Sequence, residues 1–286
     1  MDEFTAVIKA RQFVGRVGPK SFPVAVEDYV KELGATLSRQ DDMGDDEAGC
    51  SFKTGGKHFI VVNGKDSPER QRFTVCHEIA HIELGLPSEH KSFPSWSYAK
   101  RPPAEIWCDI FAAELLLPYR LFKPEVDKAV IGFDAIDEMA RRFEASNTAT
   151  ASRFAAVAPI PCAFVISEQG KVKYASRSTS MRDGNAWIQP GVDLPRESFS
   201  ARARSGAGAT GAERIDADVW LSDWERGGSL LEEVRHLARW DQTLTLIWFE
   251  DEEVPLPKCE LREDEEELGL EELDGQLRWP SKKRRR

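Results

Sequence analysis

Apolar positions along the first 120 or so residues change period several times, and each change predicts an element. In "FPVAVEDYVKELGATL" (22–37), Val26, Tyr29, Val30 and Leu33 recur at helical spacing and Gly34 closes the run, which predicts a helix. "KHFIVVNG" (57–64) is a short β-rich run ending in a turn signal, which predicts a strand. "SPERQRFTVCHEIAHIELG" (67–85) predicts a helix with Ser67 at its N-cap, Pro68 at the first position and Gly85 just past its end. "PPAEIWCDIFAAELLLP" (102–118) predicts a further helix, bracketed by prolines and too apolar to be solvated all round.

The pattern then changes. Residues 133–158 predict an amphipathic helix over 134–143, a short turn, and a second helix capped by Ser146 or Asn147, which is helix-turn-helix spacing. Four acids there (Asp134, Asp137, Glu138, Glu144) outnumber three arginines (Arg141, Arg142, Arg153), so the pair reads as a structural connector rather than a DNA reader. From 161 to 250, "CAFVIS" and "KVKYAS" flank a turn at Glu168–Gly170 and predict a hairpin. "SLLEEVRHLARW" (229–240) predicts a helix and "TLTLIWF" (243–249) a strand, while "ARARSGAGATGAE" (201–213) reads as a mobile loop. The last stretch, 262–286, is acidic and then basic, and its composition predicts a disordered, solvated tail. The expected organisation is therefore a domain over 1–130, a two-helix segment over 131–159, an α+β domain over 160–250, and a charged tail over 251–286.

Composition narrows the function classes. A chain of 286 residues holds one large or two modest domains, and its net charge of −10 disfavours nucleic acid and anionic membranes as general partners. The longest apolar runs are far short of a bilayer span, and "MDEFTAVIKARQF" has no apolar signal region, so the expected location is cytoplasmic. Five scattered cysteines form no CxxC pair and read as reduced thiols.

The chemistry lies in "RQRFTVCHEIAHIELG" (71–86). On a helix, His77 and His81 stack one turn apart and present two imidazoles to one side, a spacing at which both can hold one zinc ion. Glu78 stands one step round the helix, where it can reach a water on the metal but cannot easily join as a ligand. The metzincin third histidine is excluded, because Leu84 and Pro87 occupy the positions that the glycine and histidine of that motif would need. The 102–118 helix offers carboxylates instead. Glu105 and Asp109 share a face, whereas Glu114, nine residues on at about 100° per residue, points away. Glu105 is then the third ligand, and Asp109 the acceptor that fixes the tautomer of a ligand histidine.

These segments, "RQRFTVCHEIAH" and "EIWCDIFAAELLLP", with "FPVAVEDYVKELG" and "HFIVVNG" upstream, closely resemble the ImmA/IrrE family of zinc metallopeptidases over roughly residues 20 to 120. The resemblance implies an α+β protein built on a minimal zincin (thermolysin-like, gluzincin) domain with a small antiparallel sheet, with His77, His81 and Glu105 at the ligand positions and Glu78 at that of the catalytic glutamate. It also implies a helix-turn-helix-like middle segment and, as in some members, a C-terminal GAF-like sensor region. Cys108 and Asp109 stand where many members have Ala-Asn, and aspartate keeps an acceptor there.

The expectation is a site-specific endopeptidase that cleaves a protein partner, a helix-turn-helix transcriptional repressor, in a bacterial stress or mobile-element response. The alternative is a catalytically silent metal-containing regulator that binds its partner without cutting it. A His₂Glu set accepts Zn²⁺ or Mn²⁺. His90, Tyr98 and Tyr119 are candidates for stabilising an oxyanion, and His58 and His236 read as structural. The strand at 58–62 is expected to receive an extended substrate by strand addition.

Overall fold

A computed structural model describes residues 1–44, 47–88, 102–206 and 211–249. The first helix, α1 (Glu3–Val17), was not anticipated from the sequence, although its signals are local. Asp2 caps it by accepting from the Thr5 N–H, Gly18 closes it in the left-handed region, and Ala6, Ala10, Phe13 and Val14 form its buried stripe. Next comes α2 (Val26–Glu32), shorter than the predicted 22–37 run. Its buried residues Val26, Tyr29 and Val30 are those the spacing picks out, but beyond Gly34 the chain enters strand β1 (Thr36–Gln40). A glycine in the left-handed conformation reverses the chain there, so the apolar period continues into a different element.

Strands β2 (Gly49–Thr54) and β3 (Lys57–Asn63) form a hairpin through Gly55–Gly56, both at positive φ as a type I′ turn requires. The sheet order is β1-β3-β2, with β1 parallel and β2 antiparallel to β3. This small sheet is therefore mixed rather than antiparallel. It also corrects the expected substrate strand: β3 is paired on both sides, so the residues at 58–62 have no free edge, whereas among the described residues β2 is paired on one side only.

Helix α3 (Pro68–Leu84) has the predicted boundaries, with Ser67 accepting from Arg70 N–H and Gly85 at φ 67°. It crosses β2 and β3 and packs against α4 (Pro103–Leu116). Burial on several sides explains why every residue from Thr74 to His81 is buried. Helices α5 (Tyr119–Val126), α6 (Phe133–Phe143) and α7 (Asn147–Val157) follow, the last capped by Ser146. α7 packs on α5 and α6 and on the next two strands, β4 (Cys162–Glu168) and β5 (Lys171–Arg177).

The β4–β5 hairpin turns at Gln169–Gly170, both at positive φ. Beyond it come α8 (Thr179–Asp183), α9 (Phe199–Arg204), β6 (Ala212–Asp216), α10 (Ala217–Trp220), β7 (Ser229–Leu237) and β8 (Gln242–Phe249). The five strands form an antiparallel sheet of order β5-β4-β8-β7-β6. Two predictions fail here. Residues 229–237 are a strand and not a helix, followed by a 3₁₀ turn at Ala238–Trp240. The segment 201–213, expected to be a loop, holds the end of α9 and the start of β6. The tail expected to be disordered lies outside the described residues.

Both faces of the five-stranded sheet are buried, with period-two alternation. Phe164, Ile166, Leu244, Leu246 and Trp248 face the core that α1–α7 share, and Ala163, Val165, Leu230, Ile247 and Phe249 face a second cluster with Met181, Ile188 and Trp220. The protein is thus a mixed α+β structure with two small sheets, the first of them crossed by the helix that carries the two histidines.

Candidate metal centre

α3 and α4 meet at His77, His81 and Glu105. Nε2 of His77 and Nε2 of His81 are 3.1 Å apart, His77 Nε2 lies 3.2 Å from Glu105 Oε2, and His81 Nε2 lies 3.5 Å from Glu105 Oε1. A tetrahedron with metal–ligand bonds of ~2.0–2.1 Å has edges of roughly 3.3–3.4 Å, so this triangle of donors has the size that a tetrahedral divalent ion needs. Among the described residues it is the one group of three His, Cys, Asp or Glu side chains close enough to share an ion. The donor set of two imidazoles and one carboxylate suits zinc, and among the described residues it supplies three donors, the number that catalytic zinc sites take from the protein.

Asp109 lies one turn after Glu105 and places Oδ1 3.0 Å from His77 Nδ1. A carboxylate at that distance favours a proton on Nδ1, the tautomer that leaves the Nε2 lone pair for a metal. The electrostatics point the same way. Burial alone pulls the pKa of His77 down, but hydrogen bonds to Asp109 and Glu105, with the nearby charges of Asp109 and Glu78, push it up to about 10. Such a surplus of negative charge around a buried imidazole stabilises a cation there.

Glu78 is fully buried beside this group. Its Oε2 accepts a hydrogen bond from Ser88 Oγ at 3.0 Å, and Ser88 Oγ accepts one from the backbone N–H of Ser51 on β2 at 3.3 Å. Ser88 and Ser51 were not singled out from the sequence. No motif marks them, because their meeting depends on how the chain leaves α3.

Other sequence candidates are placed elsewhere. Glu114 points away from the centre, as its phase requires. It is buried at the far end of α4, where it accepts from Tyr119 N–H and pairs with Arg153 and, at 3.6 Å, Arg11. Tyr119 opens α5 beyond that end with its ring under the Arg11 guanidinium, so it is not beside Glu105. His236 bonds Thr243 Oγ1 at 3.0 Å within its sheet, and His58 sits on β3. His90 and Tyr98 lie outside the described residues.

Helix-borne histidines, a carboxylate from the next helix, a glutamate beside them and a small sheet across the first helix fit a zincin-like domain. Residues 30–155 match the model of the IrrE N-terminal-like domain, Peptidase_M78, and this match supports the resemblance to the ImmA/IrrE family. It is 29% identical over 119 residues to the radiation response metalloprotease IrrE of Deinococcus radiodurans, a match covering 40% of this chain and 36% of that protein. It is 34% identical over 96 residues to the protein of the same name from Deinococcus deserti, covering 32% of this chain and 34% of that one. The chain thus spans about a third of the length of these curated relatives. A Mycobacterium tuberculosis transcriptional regulator shares the fold, with a TM-score of 0.56 at 14% identity, over 86% of this chain and 76% of that one. Among the described residues, no helix is long and apolar enough to cross a membrane.

Proposed function

We propose that the protein is a zinc-dependent endopeptidase that makes a defined cut in one protein partner. The observation that supports this best is the triangle of His77, His81 and Glu105 donors with Glu78 buried at its side. A bound Zn²⁺, or Mn²⁺ where that ion prevails, supplies Lewis-acid activation of water and of the scissile carbonyl. Glu78 takes the proton of the attacking water and delivers it to the leaving amine, a role worth on the order of 10²–10⁴ in rate. Asp109 holds the His77 tautomer. The edge of β2 that no described strand pairs takes the substrate backbone as an added strand.

The partner in this reading is a helix-turn-helix transcriptional repressor, cut in the cytoplasm during a stress or mobile-element response. Residues 1–130 form the peptidase domain, 131–159 the helix-turn-helix-like segment, and 160–250 a GAF-like region that senses or docks. The antiparallel five-strand sheet, covered on both faces, supports a separate role for that last region.

The test is co-incubation of zinc-loaded protein with the repressor encoded nearest to it, resolved by intact-mass spectrometry. One defined cut is expected, abolished by chelator and reduced by at least about a hundredfold in Glu78→Gln, which retains its zinc. Cleavage by Glu78→Gln at the wild-type rate would overturn the assignment.

A further inference from the structure

Ser88 reaches the site by a path the fold dictates. Gly85 ends α3 in the left-handed conformation, and the Leu86 N–H returns to His81 O at 2.9 Å in the helix-closing pattern that Gly85 permits. The Leu86 side chain packs against the core, and Pro87 stiffens the next step. Ser88 is thereby delivered back over Glu78, ten residues after it in sequence.

Its hydroxyl there does two things at once. It donates to Glu78 Oε2 at 3.0 Å and accepts from Ser51 N–H at 3.3 Å. A hydroxyl has one proton to give and lone pairs to receive, so both bonds form together. Ser51 lies opposite Ile60 of β3, yet its N–H is directed to Ser88, away from the sheet. By the alternation of antiparallel strands, the backbone groups of Gly49, Ser51 and Lys53 then all face the edge that no described strand pairs. Ser51 N–H is the edge donor that Ser88 links to Glu78. An incoming strand has to offer that donor a carbonyl, and the Ser88 oxygen already stands in that place.

We propose that the Ser88 hydroxyl is a built-in placeholder for a substrate backbone carbonyl. It occupies the pairing amide of β2 and holds a lone pair of Glu78 until an extended peptide displaces it from both. The inference rests on reading the site as a peptidase and adds a condition to it. A ligand that pairs with β2 removes Ser88 and frees the glutamate in one event, whereas a ligand too short to reach β2 leaves Ser51 bonded to Ser88. No bond is made or broken covalently in this exchange: one hydrogen-bond acceptor replaces another at Ser51.

The test uses two metal-directed probes of different reach, bound to zinc-loaded full-length protein and followed by calorimetry. Acetohydroxamate is too short to touch β2, while an extended alanine/valine tetrapeptide hydroxamate reaches it. The ratio of their affinities isolates the β2 contribution. In Ser88→Ala the longer probe should gain about threefold to tenfold over the shorter, the worth of one hydrogen bond that no longer has to be displaced. Ser88→Thr keeps the hydroxyl and should hold the wild-type ratio. A second measurement needs no variant. The Ser51 amide resonance should be protected from exchange in the free protein, and should shift with the tetrapeptide probe but not with acetohydroxamate. An unmoved or reduced ratio in Ser88→Ala, or a Ser51 amide that exchanges like a solvated edge, overturns the placeholder. Failure of the zinc-loaded wild type to bind either probe removes the metal-centre reading and this inference together.

Discussion

His77 is a nearly buried imidazole within hydrogen-bond distance of two carboxylates, Glu105 and Asp109, with the charge of Glu78 close by. Its two nitrogens have divided tasks, Nδ1 towards Asp109 and Nε2 towards the other donors. Removing the Asp109 carboxylate releases the ring without taking away a ligand. Asp109→Ala is therefore expected to weaken zinc by about 10- to 100-fold while leaving the far-ultraviolet spectrum unchanged, which a competition titration against a chromophoric chelator measures. Zinc affinity equal to wild type would mean that the contact orients nothing. At this scale the sequence is informative where geometry is local. The i, i+4 spacing of His77 and His81, and of Glu105 and Asp109, predicts shared faces, and helix phase alone directs Glu114 elsewhere. Ser88 and Ser51 are illegible for the opposite reason, since they meet only after the left-handed turn at Gly85 folds the chain back.

Helices and strands carry these residues, and α4 shows how one helix can serve two ends. Its first turn holds Glu105, while near its last turn Glu114 is sealed at 2% exposure against Arg153 of α7. Arg153 also donates to Leu117 O, and its neighbour Ser152 bonds Tyr174 of β5, so α7 ties the second sheet to the metal-bearing helix. Arg153→Met leaves the Glu114 carboxylate with a half-exposed arginine at 3.6 Å, and should cost about 3–5 kcal/mol in urea unfolding. Adding Glu114→Gln should recover part of that loss, because the uncompensated charge goes with it. If the single variant unfolds at the wild-type midpoint, the pair contributes nothing. Strand β7 was the element most misread. Leu230, Leu231, Val234 and Leu237 fall on one face of a helix, and that spacing suggested one. The fold instead alternates Leu230, Glu232 and Val234 inwards, with Glu232 fully buried. Glu232 accepts from the N–H groups of Phe199 and Ser200 at the start of α9, so its carboxylate is buried as a cap. Only the tertiary partner distinguishes the two readings.

Across the whole molecule, the second sheet is buried on both faces, and β4 runs between β5 and β8 with every residue from Cys162 to Glu168 buried. The apolar runs of β4 and β8 made the strands legible, but not that one face of this sheet would share its core with helices as distant as α1. Burial there has a consequence for stability against pH. The Cys162 thiol has its pKa pushed up by desolvation from 9.0 to about 12. Below pH 9 both folded and unfolded chains keep this proton, and pH has no leverage through it. Between pH 9 and 12 the unfolded chain ionises while the folded one does not, so the folded state loses stability as pH rises, by up to about 1.4 kcal/mol per pH unit for each such group. Cys76, also pushed up to about 12 by burial, adds to the same slope. Urea midpoints measured at intervals from pH 8 to 10.5 should therefore fall progressively above pH 9. The Cys162→Ala protein starts from a lower stability, because it carries a small cavity, but should decline less steeply with alkali. Parallel declines in the two proteins would show that the thiol ionises as readily inside β4 as in the unfolded chain, and that this strand is far more open to water than its packing implies.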